Sequence, residues 1–414
     1  LRRSNHCKTN HILKTMKGIS YFVFAVQVFL VCNMVSAITK GRITKSLESS
    51  VFDFSVDILK VVAQNEGDKL QKNIFMSPTN IFRASLLVYA ATSSNTRAQL
   101  ERALHMEDIS TDTIKEYLRK TKETSRTLLE AERLYIDESV DVKKTYKEIV
   151  SNGLEKVDMS GQKSKVIAEV NNFVKNITHG MISNVLQESW TPVGNSIFIS
   201  AIYFKSNWHK LFEKRSTSKQ PFFTNEGSEV TTDMMFNKDY FKYYDSDILQ
   251  SQVISMEYKD PSYTMLVFLP KKNGTQTVET LISQLTPSLI RDTYQFMKSK
   301  EVRLSFPKFK TDTEIMLKNI FAKLGVTDIF TPQADFSVMT EEKIQLSDAV
   351  HGAKINLDED GTEAAGYTMM KGLGSAPNKP QPINFYADRP FVYMIYDINK
   401  HIPVFMGVMV DPTK

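Results

Sequence analysis

From Ala353 to Asp358 apolar and polar positions alternate. Ala353, Ile355 and Leu357 fall on one face, Lys354, Asn356 and Asp358 on the other, the pattern of a strand with one buried face. Helical spacing appears at Phe52, Val56, Leu59 and Val62, and again at Val166, Val170, Phe173 and Ile177. Leu317, Phe321 and Leu324 predict a further helix closed by Gly325. Asn73-Ile74-Phe75-Met76 predicts a short strand, and Ser77-Pro78 an N-cap with proline in the first turn of a helix through Ile81, Leu87 and Val88. Ile197 to Phe204, Tyr263 to Pro270, Phe391 to Ile398 and Val404 to Val410 predict buried strands.

The alternating strand runs into a polar turn, Asp358-Glu359-Asp360-Gly361, and then into a stretch with no apolar face, Thr362-Glu363-Ala364-Ala365-Gly366. By composition that is a surface loop. Its parity carries more: laid down as a strand, it would put Thr362, Ala364, Gly366 and Thr368 on one face and Glu363, Ala365, Tyr367 and Met369 on the other. The first set is small throughout; the second holds the charge and the aromatic ring. A strand sliding into a packed sheet needs that division.

The chain has 414 residues, 42% hydrophobic and 24% charged, enough for a large core, and no linker marks a domain boundary. A net charge of +5 does not by itself argue for nucleic acid. Met16 and Lys17 precede an apolar run from Tyr21 to Val31, and Val35-Ser36-Ala37 offers a cleavage site. The expected division is residues 1–15 as an upstream translated segment, 16–37 as a secretory signal and 38–414 as one mature domain. The run is shorter than the ~20 residues of a spanning helix. Both cysteines, Cys7 and Cys32, fall in the removable part, so the mature chain is held by its core rather than by disulfides. Asn176-Ile177-Thr178 and Asn273-Gly274-Thr275 are glycosylation acceptors in that context. There is no G-x-S-x-G, H-E-x-x-H or phosphate-binding loop, so an enzyme, a metal and a cofactor are not expected.

The hinge-like stretch Gly361-Thr362-Glu363-Ala364-Ala365-Gly366 after Glu359 resembles the start of the reactive loop in serpins. Further motifs in the same order extend the resemblance over roughly Leu47 to Pro412: Asn73-Ile74-Phe75-Met76-Ser77-Pro78, the run Asn172, Thr178, Gly180, Ile182, the strand Ser200-Ala201-Ile202-Tyr203-Phe204-Lys205-Ser206-Asn207-Trp208, then Ala334-Asp335-Phe336-Ser337 and Asp388-Arg389-Pro390-Phe391. The resemblance implies an α+β fold, a single domain with three β-sheets, a large central one among them, about nine helices and an exposed reactive loop at residues 359–384. It implies a monomeric, secreted suicide inhibitor whose partner is a serine protease, held covalently; secreted members without disulfides occur in arthropods. Counting from Gly361 by family habit puts the scissile bond at Ser375–Ala376, with Lys371, Leu373 and Lys379 as alternatives, since the stretch to Pro390 is longer than usual. Asn73, Ser77, Asn80, Ser200, His351 and Trp208 fall where the central sheet opens, and His351 and Trp208 are expected together at its top. Asn80 stands where the family has Ser, and Ser200 where it has Asn, which suggests an exchange across one hydrogen-bond network. On a helix from Thr111 to Arg126, Lys115, Arg119, Lys122 and Arg126 would form a basic stripe that could hold a heparin-like glycosaminoglycan; a solvated helix face is the plainer reading. The alternative to an inhibitor is a non-inhibitory member acting as a carrier, but such members usually place bulky or charged residues where Thr362, Ala364 and Gly366 stand.

Overall fold

The structure, a computed structural model, describes residues 45–119, 127–159, 161–191, 193–272, 274–362 and 381–414, without the Arg119 side chain. The expected upstream and signal segments, Asn273, and the loop residues Glu363, Ala364, Ala365, Gly366, Lys371, Leu373, Ser375, Ala376 and Lys379 lie outside the described residues, as do Lys122 and Arg126. Ser46–Lys414 make one compact unit with nine α-helices among the described residues.

The first helix, Leu47–Asn65, starts where Ser46 Oγ accepts from the Ser49 N–H at 3.2 Å, and it buries Phe52, Val56, Leu59 and Val62 as their spacing predicts. β1 (Ile74–Met76) leads into the helix Pro78–Ala91, capped by Ser77 Oγ on the Asn80 N–H at 3.1 Å. That helix lies under the central sheet, which is built from β2 (Leu128–Asp137), β3 (Leu154–Val157), β4 (Ser196–Phe204), β5 (Ser206–Asn207), β11 (Phe309–Met316), β12 (Leu346–Leu357) and β13 (Gly361–Thr362). The order across the sheet is β3-β2-β4-β12-β13-β5, with β11 on the far side of β12.

The remaining strands form a second hydrogen-bonded network: β6 (Ser218–Phe223), β7 (Glu229–Ser246), β8 (Ser251–Glu257), β9 (Tyr263–Pro270), β10 (Lys298–Pro307), β14 (Ile383–Tyr386), β15 (Phe391–Asp397) and β16 (Ile402–Met409), with β1 at one edge. Three sheets were expected, and two networks are seen, because the 18-residue β7 belongs to two sheets at once. It pairs with β6 and β10 along Glu229–Tyr243 and with β8 along Lys242–Ser246, which fuses them into one.

Three buried clusters meet the central sheet, and the largest packs Leu134, Phe198, Leu346 and Ala349 against the helices Leu47–Asn65 and Pro78–Ala91. Beneath the sheet, Ala353, Ile355 and Leu357 of β12 pack with Phe204, Trp208, Phe309 and Tyr393. Above it, the helix Lys163–Ile177 and the segment after it cover Tyr135, Ile199, Ala201 and Val350. The predicted stripe on that helix fails at its end: Phe173 is half-buried, Ile177 is 38% exposed and Val174 is buried instead. The polar residue that matters there is Asn171, not Asn172. Asn171 Oδ1 accepts from the Val185 and Leu186 N–H groups at 2.9 and 3.0 Å, and its Nδ2 donates to the Leu186 carbonyl at 3.0 Å. Asn172 is exposed one position along the helix. Gly352 completes the fit, since a Cβ there would lie 2.6 Å from Val185 Cγ1.

Asn171→Ala would strip the partners from three backbone groups. It should lower stability by ~1–3 kcal/mol in chemical unfolding, whereas Asn172→Ala should fall within ±0.5 kcal/mol of the parent.

Candidate functional site

β4 and β12 lie side by side at the centre of the sheet and run parallel. Their register puts Ser196 opposite Leu346, Ser200 opposite His351 and Tyr203 opposite Lys354, with no strand between them. Parallel neighbours ordinarily need a long crossover. Here the whole of β5 to β11 separates them in the chain.

A buried polar cluster spans this seam. His351 is fully buried and its Nε2 accepts from the Ser77 N–H at 3.0 Å, so in the neutral ring the proton sits on Nδ1. Nδ1–H then donates to Ser200 Oγ at 2.9 Å, and the Ser200 hydroxyl donates to Asn80 Oδ1 at 2.5 Å. Ser77 Oγ donates to the Val404 carbonyl at 2.7 Å. The result ties β12, β4, the helix Pro78–Ala91 and β16 together in one chain of donors and acceptors. Asn80 and Ser200 are direct partners across it. Asn80 Nδ2, also buried, has no hydrogen-bond partner among the described residues. Burial depresses the His351 pKa from the usual 6.5 to about 3, against the opposing pull of its bond to Ser200.

Trp208 and Asn73 do not join this cluster. Asn73 holds the C-terminal end of the chain instead: its Oδ1 accepts from the Val410 and Asp411 N–H groups at 2.9 and 3.0 Å, and its Nδ2 donates to the Asp411 carbonyl at 2.7 Å. Trp208 sits at the top of the sheet, beside Asp358 rather than beside His351, seven residues further along the chain. The pleat explains the separation, since each residue of a strand advances about 3.3 Å.

At the top, the turn Asp358-Glu359-Asp360-Gly361 is gripped by the segment that follows β4. The Trp208 N–H donates to the Asp360 carbonyl at 2.9 Å, the Phe212 N–H to the Glu359 carbonyl at 3.0 Å, and Trp208 Nε1–H to the Asp358 carbonyl at 3.0 Å. The carboxylates are held as well. Glu359 accepts from Thr217 Oγ1 at 2.7 Å and meets Lys308 Nζ at 2.9 Å; Asp360 meets Lys214 Nζ at 2.8 Å. Burial alone would raise the Glu359 pKa, but the bonds from Lys308 and Thr217 outweigh it and hold the group below the ordinary carboxylate range. Gly361 has φ +142°, and a Cβ on it would lie 2.4 Å from the Ser206 carbonyl oxygen, so no other residue fits.

Thr362 is the last described residue before the reactive-loop stretch, and it is fully buried. It pairs antiparallel with Leu357 on one side and with Ser206 on the other, and its Oγ1 lies 3.2 Å from the Tyr258 hydroxyl. Composition predicted a surface loop from this residue onward; its first residue is already seated in the sheet. Trp208 stacks on Tyr258 with ring centroids 4.5 Å apart, so the ring pair forms the floor beneath it.

Of the expected basic stripe, Lys115 lies on the helix Thr111–Arg119 and reaches Asp112 at 3.7 Å. Asn176 is exposed near the end of its helix. Among the described residues no group of His, Cys, Asp and Glu is arranged to hold a metal ion.

Comparison with known proteins agrees with this architecture. The family profile described as Serpin (serine protease inhibitor) matches residues 49–412. Ipis-1 of Ixodes persulcatus is 30% identical over 372 residues, which cover 87% of this chain and 98% of that protein. Serine protease inhibitor 88Ea of Drosophila melanogaster is 26% identical over 386 residues, 87% of this chain and 89% of its own. The crystal structure of the thermophilic serpin tengpin in its native state matches with a TM-score of 0.77 and 25% identity, over 87% of this chain and 93% of that one.

The neutral His351 makes stability depend on pH. Between 6.5 and about 3 the unfolded chain binds a proton that the native state refuses, so stability present above 6.5 is lost as pH falls, by roughly 1.4 kcal/mol per unit. His351→Gln keeps an acceptor and a donor but cannot titrate. Its unfolding midpoint in denaturant should decline less steeply than the parent's between pH 6.5 and 4, by about one proton. Parallel profiles would show that His351 does not control the acid limb.

Proposed function

Since the chain belongs to the serpin family, we propose that it is a secreted suicide inhibitor of serine proteases. The observation that carries this reading is the seam: two parallel strands in direct contact, with Gly361 and Thr362 already paired at its open end. A protease attacks the loop and forms an acyl-enzyme. Cleavage frees the chain beyond Thr362 to run down between β4 and β12, antiparallel to both. Continuing the register of the two observed pairings brings Thr368 opposite both His351 and Ser200. The residues that would then face the lower core are Thr362, Ala364, Gly366 and Thr368, the small set.

One parallel ladder is exchanged for two antiparallel ones. Each additional ladder bond contributes ~0.5–1.5 kcal/mol net, so the released energy is on the order of 10 kcal/mol. That is enough to drag a tethered protease and disturb its oxyanion site, where the loss of one donor costs ~10²–10³ in deacylation rate. The intact fold is therefore held by a barrier rather than by depth. The scissile bond is read as Ser375–Ala376, which suits an elastase-like pocket. The apolar run Tyr21 to Val31 with Val35-Ser36-Ala37 supports secretion. Lys115, Arg119, Lys122 and Arg126 remain the candidate contacts for a sulfated polysaccharide.

Incubation with a panel of serine proteases should give a complex that survives SDS, and mass spectrometry of the released C-terminal peptide will locate the cut bond. The nicked protein should melt about 20 °C above the intact one. Thr362→Arg would have to bury a guanidinium over the Trp208–Tyr258 pair, so this variant should be cleaved as a substrate without forming the complex. A persistent complex in the variant, or equal melting of nicked and intact protein, would overturn the mechanism.

A further inference from the structure

The segment that grips the hinge has a second side. Trp208, Lys210 and Phe212 alternate along it and line a cavity of about 180 Å³. Its opposite wall comes from Phe241 and Lys242 of β7 and Met256 of β8, and Ser299 of β10 stands at it as an exposed residue. The same two residues, Trp208 and Phe212, thus hold the hinge through their backbone N–H groups and the cavity through their rings.

The lining is chemically specific. Aromatic and thioether surfaces make the walls, and Lys210 and Lys242 bring two ammonium groups to them, each with one carboxylate partner, Asp239 and Glu257. Lys242 Nζ lies 3.1 Å from Glu257, while Lys210 Nζ lies 5.3 Å from the Phe241 ring centroid and 3.4 Å from Asp239. The cavity is smaller than the ~300–1,000 Å³ pockets of drug-sized ligands, so it suits one flat ring system. We propose that this cavity is a binding site for a small aryl carboxylate, its ring between Trp208, Phe241 and Met256 and its carboxylate toward Lys210 and Lys242, and that occupancy stiffens the hinge turn through Trp208 and Phe212.

The coupling path is short. A ligand that fixes the Trp208 ring also fixes its bonds to the Asp358 and Asp360 carbonyls and its stack on Tyr258, which touches Thr362. The site exists whether or not the chain inhibits proteases; only the consequence for inhibition rests on the function proposed above.

The test uses the intact chain and no protease, so its failure is distinct from failure of the inhibitory reading. Titration with 2-naphthoate by calorimetry should show one saturable site. The uncharged 2-naphthamide, and 2-naphthoate on Lys242→Met, should each bind about tenfold more weakly. Ser299→Tyr, a change at an exposed position that fills the mouth, should abolish binding while leaving the melting temperature unchanged. Hydrogen exchange in the peptide covering residues 355–362 should slow on addition of 2-naphthoate to the parent and not to Ser299→Tyr. Absence of saturable binding, or binding that survives in Ser299→Tyr, would overturn the site. Unchanged exchange at saturation would overturn its link to the hinge.

Discussion

The direct ladder between β4 and β12 is the constraint on which the rest of the molecule depends. Two strands from distant parts of the chain meet in parallel at the centre of the largest sheet, and the pairing is shorter and less favourable than what a third, antiparallel strand between them would provide. What keeps the seam shut is a small number of oriented polar bonds within an otherwise apolar layer. His351 must be neutral and must carry its proton on Nδ1, because the Ser77 N–H fills Nε2. A buried ring so constrained contributes little net energy, but any sideways movement of β12 leaves several groups without partners. The unpartnered Asn80 Nδ2 shows that even the closed arrangement is not fully satisfied.

The two ends of the seam are held by different physics. In the middle the hold is a neutral chain of donors and acceptors sealed from water. At the top it is charge and backbone: three successive acidic residues form a turn whose carbonyls accept from Trp208 and Phe212 and whose carboxylates meet Lys308 and Lys214. Lys214 is largely exposed and its pair with Asp360 is screened, whereas Glu359 is buried and Lys308 only partly exposed, so that pair is screened less. Gly361 then turns the chain against the Ser206–Asn207 backbone, and Thr362 lands over the Trp208–Tyr258 stack. The hinge is thus built into the fold up to Thr362, and most of its grip comes from one segment, Asn207 to Thr217. Lys308 and Ser206 add contacts from outside that segment, but Trp208 and Phe212, which donate to the turn's carbonyls, also line the cavity behind it.

Family membership rests on a match over residues 49–412. The relation of this structure to the proposed mechanism is narrower and physical: a seam with a parallel register, a first hinge residue in place, and small side chains on the parity that would face inward. An antiparallel strand satisfies both open edges only if its inward side chains fit over the lower core between β4 and β12.

Periodicity was sufficient for the elements themselves. The helix Leu47–Asn65, the cap at Ser77, and strands β4, β9, β12, β15 and β16 follow from spacing and capping, because those signals are local in the chain. The hinge composition and the exchange of Asn80 and Ser200 were also legible, the latter only as a pairing of residue types. Tertiary structure alone decided which residues meet. It sent Asn73 to the C-terminus, separated Trp208 from His351, replaced Ile177 by Val174 on its helix face and gave the clamp to Asn171 rather than its neighbour. It also fused two sheets through β7. Each of these depends on the register between segments far apart in sequence, and a shift of one residue in a strand or 100° on a helix changes the partner while leaving the local pattern almost unaltered.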